Sequence, residues 1–176
     1  MGALVVYESM FGNTRRIALA IAEGIAGKLP VRTLEVGDAP EVVAGDVDLL
    51  VVGGPTHVHG MSSASTRRSA AERATDPLVS QRLGIREWLD HATPQGPNVH
   101  AAAFDTRISG MALITGSAAR GYTKRLRADG FLVDTPAQSF LVTAKAEPGD
   151  DALVPGQVEQ ARAWGAALAA RVKVGA

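Results

Sequence analysis

The sequence predicts an α/β fold in which a parallel sheet of five strands is covered by helices on both faces. Short apolar runs alternate with helix-like stretches along the chain, which is the pattern of successive strand–helix–strand units. The central runs are apolar throughout rather than alternating, as expected for strands buried on both faces. Five strands in such a three-layer, doubly wound sheet commonly take the order 2-1-3-4-5.

Each strand is predicted from its own apolar run. The predicted strands cover residues 3–7, 31–36, 48–54, 99–104 and 131–133, with 139–142 as a continuation of the last. Residues 31–36 alternate between polar and apolar side chains, which indicates an edge strand.

Helices are predicted between these strands. The helix-like stretches are 13–28, 40–45, a long one within 63–91, 116–129 and 153–173. Gly130 is expected to end the fourth helix, and Pro155 is expected in the first turn of the last. The last helix is expected to bury a face formed by Val158, Ala161, Trp164, Ala167, Leu168 and Val172. Because no repeat, low-complexity tract or linker interrupts the pattern, we expect a single domain over residues 1–176.

The composition argues against several kinds of protein. The chain has no cysteine, which excludes disulfides, thiolate metal sites and cysteine nucleophiles. Its 18 basic and 18 acidic residues balance, so net charge indicates neither a nucleic acid nor a membrane as partner. No apolar run approaches the ~20 residues of a membrane span, and no basic leader precedes the first strand. We therefore expect a cytoplasmic protein.

A ligand site is predicted at one edge of the sheet. In open sheets of this kind, ligands bind beyond the carboxyl ends of the strands, at the point where the strand order reverses. The loops expected to meet there are 8–14, 54–61 and 105–110. Each holds more polar residues or glycines than a turn requires.

The first loop has the composition of an anion-binding turn. Its candidate binding residues are Ser9, Met10, Phe11, Gly12, Asn13 and Thr14. A helix that starts here would offer unpaired N–H groups and a partial positive charge to a phosphate. Gly12 would let the backbone close around the anion. An ordinary turn capped by Asn13 is the alternative.

The other two loops are candidates for contact with a planar ligand. The second loop contributes Pro55, Thr56, His57, Val58, His59 and Gly60, and the third contributes Phe104, Asp105, Thr106, Arg107 and Gly110. Gly60 is expected to allow an unusual peptide orientation. Two histidines without cysteines or a carboxylate cluster are weak evidence for zinc, so no metal is predicted. Bland surface loops remain an alternative for both segments.

The motif "YESMFGNT" resembles the phosphate loop of the flavodoxin family, whose usual form is Thr/Ser-x-Thr-Gly-x-Thr. Phe11 replaces the middle hydroxyl, and this form is closer to the flavodoxin domains of flavodiiron proteins. The stretch "GGPTHVHGMS" resembles flavodoxin-like quinone reductases related to the tryptophan-repressor-binding protein. The resemblance implies noncovalent FMN, with its phosphate on Ser9 to Thr14 and its ring between the segments Pro55–Met61 and Phe104–Gly110. It also makes Gly60 the candidate for a contact near the flavin N5.

Three functions are compatible with these features. The first is electron transfer between redox partners. The second is an NAD(P)H-dependent FMN reductase of quinones or other small-molecule electron acceptors, and the third is a flavin-free binding module. The middle of the chain is basic through Arg67, Arg68, Arg73, Arg82, Arg86, Arg120, Lys124, Arg125 and Arg127. These side chains form either solvated helix faces or a surface for an acidic partner or an anionic substrate. No residue is predicted to be catalytic.

Overall fold

A five-stranded parallel sheet dominates the computed structural model, which describes residues 1–57, 60–74, 77–109, 116–143 and 152–172. The strands are β1 (Ala3–Tyr7), β2 (Val31–Glu35), β3 (Leu49–His57), β4 (His100–Ile108) and β5 (Gln138–Val142). Their spatial order is β2-β1-β3-β4-β5, which confirms the predicted order.

Helices cover both faces of this sheet. They are α1 (Asn13–Ala26), α2 (Ala64–Arg73), α3 (Ile85–Leu89), α4 (Ala118–Ala128) and α5 (Gln157–Arg171). One apolar cluster joins α1 and α5 to one face of the sheet, and a second joins α3 and α4 to the other. Within the described residues, no helix is both long enough and apolar enough to span a membrane.

The register of the sheet aligns the carboxyl ends of its central strands. Tyr7 lies opposite Gly53, Gly53 lies opposite Phe104, and Pro55 lies opposite Thr106. The carboxyl ends of β1, β3 and β4 therefore lie side by side at one edge of the sheet, as the sequence predicted.

Two predicted loops are wrong in part, because β3 and β4 are longer than their apolar cores. β3 runs through Pro55 and Thr56 to His57, and it then pairs with a short antiparallel strand, Gly60–Met61. β4 runs on to Ile108, so Asp105, Thr106 and Arg107 are strand residues. Ladder pairing between the two strands continues past the apolar cores and extends them. Of the candidates, Val58, His59 and Gly110 lie outside the described residues.

Three further local predictions are wrong. Residues 40–45 do not form a helix, because the β-branched pair Val42–Val43 forms a short strand against Thr93–Pro94. The stretch 63–91 holds two helices rather than one, separated by a segment that includes Pro77, which has no N–H to continue a helix. Residues 131–133 supply only an isolated bridge, because the strand itself starts at Gln138.

A glycine lies just beyond the end of α4, and another lies at the start of α5. Gly130 comes two residues after α4, with a φ of 91°, as expected for a stop signal. Pro155 does not lie in the first turn of α5, because Gly156 is the N-cap of that helix.

The buried face of α5 also differs from the prediction. Ala167 is exposed, and Gly165 and Ala169 are buried instead. The reason is a close approach to α1, since a Cβ at Gly165 would lie 2.1 Å from the carbonyl oxygen of Ile21.

Candidate functional site

The turn between β1 and α1 is open at its glycine. Gly12 is the N-cap of α1 and has a φ of 95°, a left-handed conformation that favours glycine. A Cβ at Gly12 would meet no atom within 4 Å, so the turn leaves room beside the first amides of α1. Asn13 is not the cap. It is the first residue of the helix, and its Oδ1 accepts a hydrogen bond from the Ala152 N–H at 3.3 Å.

Ser9 supplies the cap that Asn13 does not. Its Oγ accepts hydrogen bonds from the N–H groups of Gly12 at 3.1 Å and Arg15 at 3.3 Å. The Ser9 N–H donates to Ser80 Oγ at 2.9 Å, while the N–H groups of Ser80 and Val79 donate to the carbonyls of Ser9 and Met10. The segment that contains Val79 and Ser80 thus forms a floor that fixes the turn.

Thr14 and Thr106, predicted in separate loops, are in direct contact. Their hydroxyl oxygens are 2.7 Å apart and buried. This hydrogen bond ties the first turn of α1 to β4. Both side chains therefore position the helix start.

Thr56 and Asp105 belong to the start of α4. Thr56 Oγ1 accepts from the Ala118 N–H at 3.0 Å, and Asp105 Oδ2 accepts from the Ala119 N–H at 3.0 Å. Asp105 Oδ2 also accepts from Ser117 Oγ at 2.6 Å. These contacts satisfy N–H groups that a helix start leaves unpaired.

Some buried polar atoms near these contacts lack partners. Within the described part of the chain, Asp105 Oδ1, Arg107 Nε and the Tyr122 hydroxyl have no hydrogen-bond partner. Burial raises the pKa of Tyr122 well above its ordinary value, and the charges of Glu8 and Asp105 add to that shift. Such unpaired groups are costly unless water or a ligand completes them.

An open cleft of about 500 Å³ adjoins the turn. It is lined by Phe11, His57, Ser65, Thr66, Ser69, Ala70, Arg73 and Ile108. Phe11 is 37% exposed and Ile108 is 40% exposed, so two large apolar side chains border the opening. The volume and the apolar edges suit a small planar ligand.

A buried carboxylate that sequence reasoning missed lies immediately before Ser9. Glu8 is fully buried, and its carboxylate accepts from Ser62 Oγ at 2.5 Å and from the Ile85 N–H at 2.9 Å. Arg67 Nη1 lies 3.9 Å from Glu8 Oε1, and Arg67 Nη2 donates to Glu87 Oε1 at 3.0 Å. Because Arg67 is the one buried residue of α2, this network fixes the position of α2 against the rest of the fold.

The network shifts the pKa of its acids in opposite directions. Burial raises the pKa of Glu8, and the hydrogen bonds from Ser62 and Ile85 only partly offset that effect. Burial also raises the pKa of Glu87, but the hydrogen bond and charge of Arg67, together with backbone hydrogen bonds, outweigh it, so the net shift is downward. At the cleft, burial lowers the pKa of His57 and the charge of Arg67 lowers it further, which favours a neutral imidazole.

The variant Glu8→Gln should change how stability depends on pH. The pKa of Glu8 is higher in the folded chain than in the unfolded chain, where its value is near 4.5. The wild type therefore loses stability as the pH rises from that value through the folded pKa, and the glutamine variant lacks this loss. In urea unfolding at a series of pH values, the stability of the variant relative to wild type should increase across this window. Parallel curves would contradict the assignment.

Some of the candidates do not show the features expected of them. Gly60 does not have a positive φ, and a Cβ there would meet nothing within 4 Å, so this position does not require glycine. Phe104 is fully buried and packs edge-on against Phe140 and Trp164. No group of three metal-ligating side chains occurs among the described residues.

The basic residues of the middle segment have mixed roles. Arg82 pairs with Asp38, and Arg125 pairs with Asp90. Arg86 donates to the carbonyls of Met61 and Ser62. Arg67 is a buried structural residue.

Comparison with known proteins identifies the fold. No protein-family model matches the chain, and no curated protein matches it significantly. A solved flavodoxin from the domain Archaea matches with a TM-score of 0.65 and 22% identity, over 98% of this chain and 99% of that one. The fold is flavodoxin-like.

Two further structures share the flavodoxin-like fold. A flavodoxin, WrbA-like protein from Agrobacterium tumefaciens has 20% identity and a TM-score of 0.56, over 96% of this chain and 95% of that one. The flavodiiron protein from Giardia intestinalis has 17% identity and a TM-score of 0.59, over 97% of this chain but 36% of that one. At these identities the likeness concerns the fold, and function has to be argued from the site.

Proposed function

We propose that this chain binds FMN noncovalently and transfers electrons between redox partners. One observation carries the proposal: the open turn at Gly12 and the cleft for a planar ligand are adjacent, since Phe11 belongs to both. A helix start open to a phosphate and an adjacent cleft open to a planar ring suit the two ends of a flavin mononucleotide. The flavodoxin-like fold supports the same assignment.

The residues at this edge fit the two ends of FMN. The first amides of α1, at the open turn, would bind the phosphate through their N–H groups and the helix dipole. The cleft beside Phe11, His57 and Ile108 would hold the isoalloxazine ring, and FMN would supply the redox chemistry. The chain itself contributes binding, orientation and partial exclusion of water.

Ser9 is expected to moderate the affinity for phosphate. Its Oγ already accepts from the Gly12 and Arg15 N–H groups, so an entering phosphate would share those donors with it. Phe11 also provides no hydroxyl. We therefore expect FMN to bind reversibly, with a Kd on the micromolar scale, roughly 8 kcal/mol of binding free energy.

The proposal is tested by titrating the purified protein with FMN and following flavin fluorescence. Binding should quench the fluorescence in a saturable way. Photoreduced complex should then pass electrons to a one-electron acceptor such as cytochrome c. A protein that leaves FMN fluorescence unchanged at high concentration would contradict the proposal and favour the flavin-free binding module.

A reductase is the second candidate, because the described lining of the cleft offers no aromatic side chain beyond Phe11 and His57 to cover a bound ring. No tryptophan or tyrosine occurs among its described lining residues, so one side of a bound ring would stay open to a small acceptor. NAD(P)H oxidation that depends on FMN and a quinone would favour this candidate over the carrier. The partners, the cytoplasmic location and the single-domain organisation remain predictions.

A further inference from the structure

The helix α2 separates two cavities and presents different side chains to each. Ala64, Arg67, Arg68 and Ala71 line a cavity of about 430 Å³. Ser65, Thr66, Ser69, Ala70 and Arg73 line the cleft of about 500 Å³. Residues three or four positions apart share a face of a helix, so one face of α2 lines the first cavity and another face lines the cleft. The buried contacts of Arg67 hold α2 in place.

Two polar side chains on the cleft side of α2 have no partner among the described residues. Ser65 Oγ lies 3.0 Å from Ser63 Oγ, and Thr66 Oγ1 accepts from the Ser63 N–H at 2.9 Å, so both belong to the cap of α2. Ser69 and Arg73 are exposed and stand one turn apart. Within the described part of the chain, neither has a hydrogen bond or an ion pair. A hydroxyl and a guanidinium so placed can bind one anionic group together.

The charge of the cleft favours an anion. Arg73 is the one charged side chain among the described residues that line it, and no carboxylate is present there. His57 is favoured as a neutral imidazole by its burial. An arginine in the last turn of a helix also interacts favourably with the helix dipole. The dipole does not explain why Phe11 and Ile108 are exposed at the same cleft.

We infer that Ser69 and Arg73 bind the anionic group of a second, planar aromatic ligand, such as an aromatic carboxylate or sulfonate. Its ring enters the cleft beside α2, and the apolar side chains Phe11 and Ile108 border the entrance. This inference rests on the proposed function, because the same cleft would hold the isoalloxazine ring. It specifies the class of small molecule that meets the flavin in this cleft.

The test compares a charged and a neutral probe of the same shape. Naphthalene-2-sulfonate and naphthalene-2-sulfonamide are titrated by calorimetry into FMN-saturated wild type, Arg73→Gln and Arg68→Gln. Arg68 is the matched control, because it lies on the same helix but lines the other cavity. FMN affinity is measured first for all three proteins.

The wild type and Arg68→Gln should bind the sulfonate about tenfold more tightly than the sulfonamide, a difference of about 1.4 kcal/mol. Arg73→Gln, saturated with FMN at its own measured affinity, should bind both probes equally. A preference that survives in Arg73→Gln, a wild type with no preference, or loss of FMN binding in Arg73→Gln alone would overturn the inference. If the wild type failed to bind FMN, the proposed function would be overturned as well.

Discussion

Arg67→Ala is expected to destabilise the folded protein by about 3–5 kcal/mol. The substitution removes the cation from a network in which Glu8 is fully buried and Glu87 is partly buried. Both carboxylates would lose a charged partner, and Ser62 would lose a donor. An uncompensated buried charge costs far more than an exposed ion pair contributes. Urea unfolding at neutral pH measures the effect.

Arg68→Ala is the matched control for this prediction. Arg68 is the next residue of α2, is exposed, and makes no ion pair within the described part of the chain. Its removal should change stability by no more than about 0.5 kcal/mol. The cost of Arg67→Ala should also shrink toward acid pH, because a protonated Glu8 needs no cation. Equal, small effects of the two substitutions would show that the network does not anchor α2.

Gly12→Leu is expected to weaken FMN binding by on the order of 100-fold. A leucine in the left-handed conformation costs about 1–2 kcal/mol, so the backbone of the turn would shift away from it. The shift would misdirect the first N–H groups of α1, and each charge-assisted hydrogen bond lost is worth about 1.5–3 kcal/mol. The side chain would also occupy the open space beside the turn. Fluorescence titration with FMN measures the loss.

Gly156 offers a control with the same backbone geometry. It is the N-cap of α5, has a φ of 85°, and would place a Cβ in open space. Gly156→Leu should therefore cost about as much stability as Gly12→Leu, but it should leave FMN affinity unchanged. Similar FMN affinities in the two variants would argue against phosphate binding at Gly12.

The sequence predicted the layers of this fold well, and the physical reason is burial. β1, β3 and β4 are apolar over their central residues because both faces of the sheet are covered, and that pattern is visible in the sequence. The order of the strands followed from the alternation of elements and the usual topology of such sheets. The turn at Gly12 was also visible, because a glycine and hydroxyls follow a buried strand.

The errors arose where tertiary contacts override local signals. The ends of β3 and β4 are polar, and ladder pairing extends them where the sequence indicates loops. The sequence predicts ligand contacts for Thr56, Thr106 and Asp105, which stay a prediction, but it does not show that their side chains hold the starts of α1 and α4. The sequence shows that a polar residue lies at this edge of the sheet, but it does not show which neighbouring residue its side chain contacts.

The Glu8 network could have been suspected from one signal. A carboxylate that directly follows five apolar residues of β1 is either a ligand-facing group or a buried charge that needs a partner. Arg67 and Glu87 are distant from it in the sequence, so only the fold reveals that they meet.

The central claim is that the turn from Ser9 to Thr14 binds the phosphate of FMN, and a comparison of FMN with riboflavin tests it most directly. The two flavins share the same ring and differ at the phosphate. Calorimetric titration of the wild-type protein should show FMN bound at least ~100-fold more tightly than riboflavin, a difference of about 2.7 kcal/mol. Equal affinities for the two flavins, or no binding of either, would contradict the account.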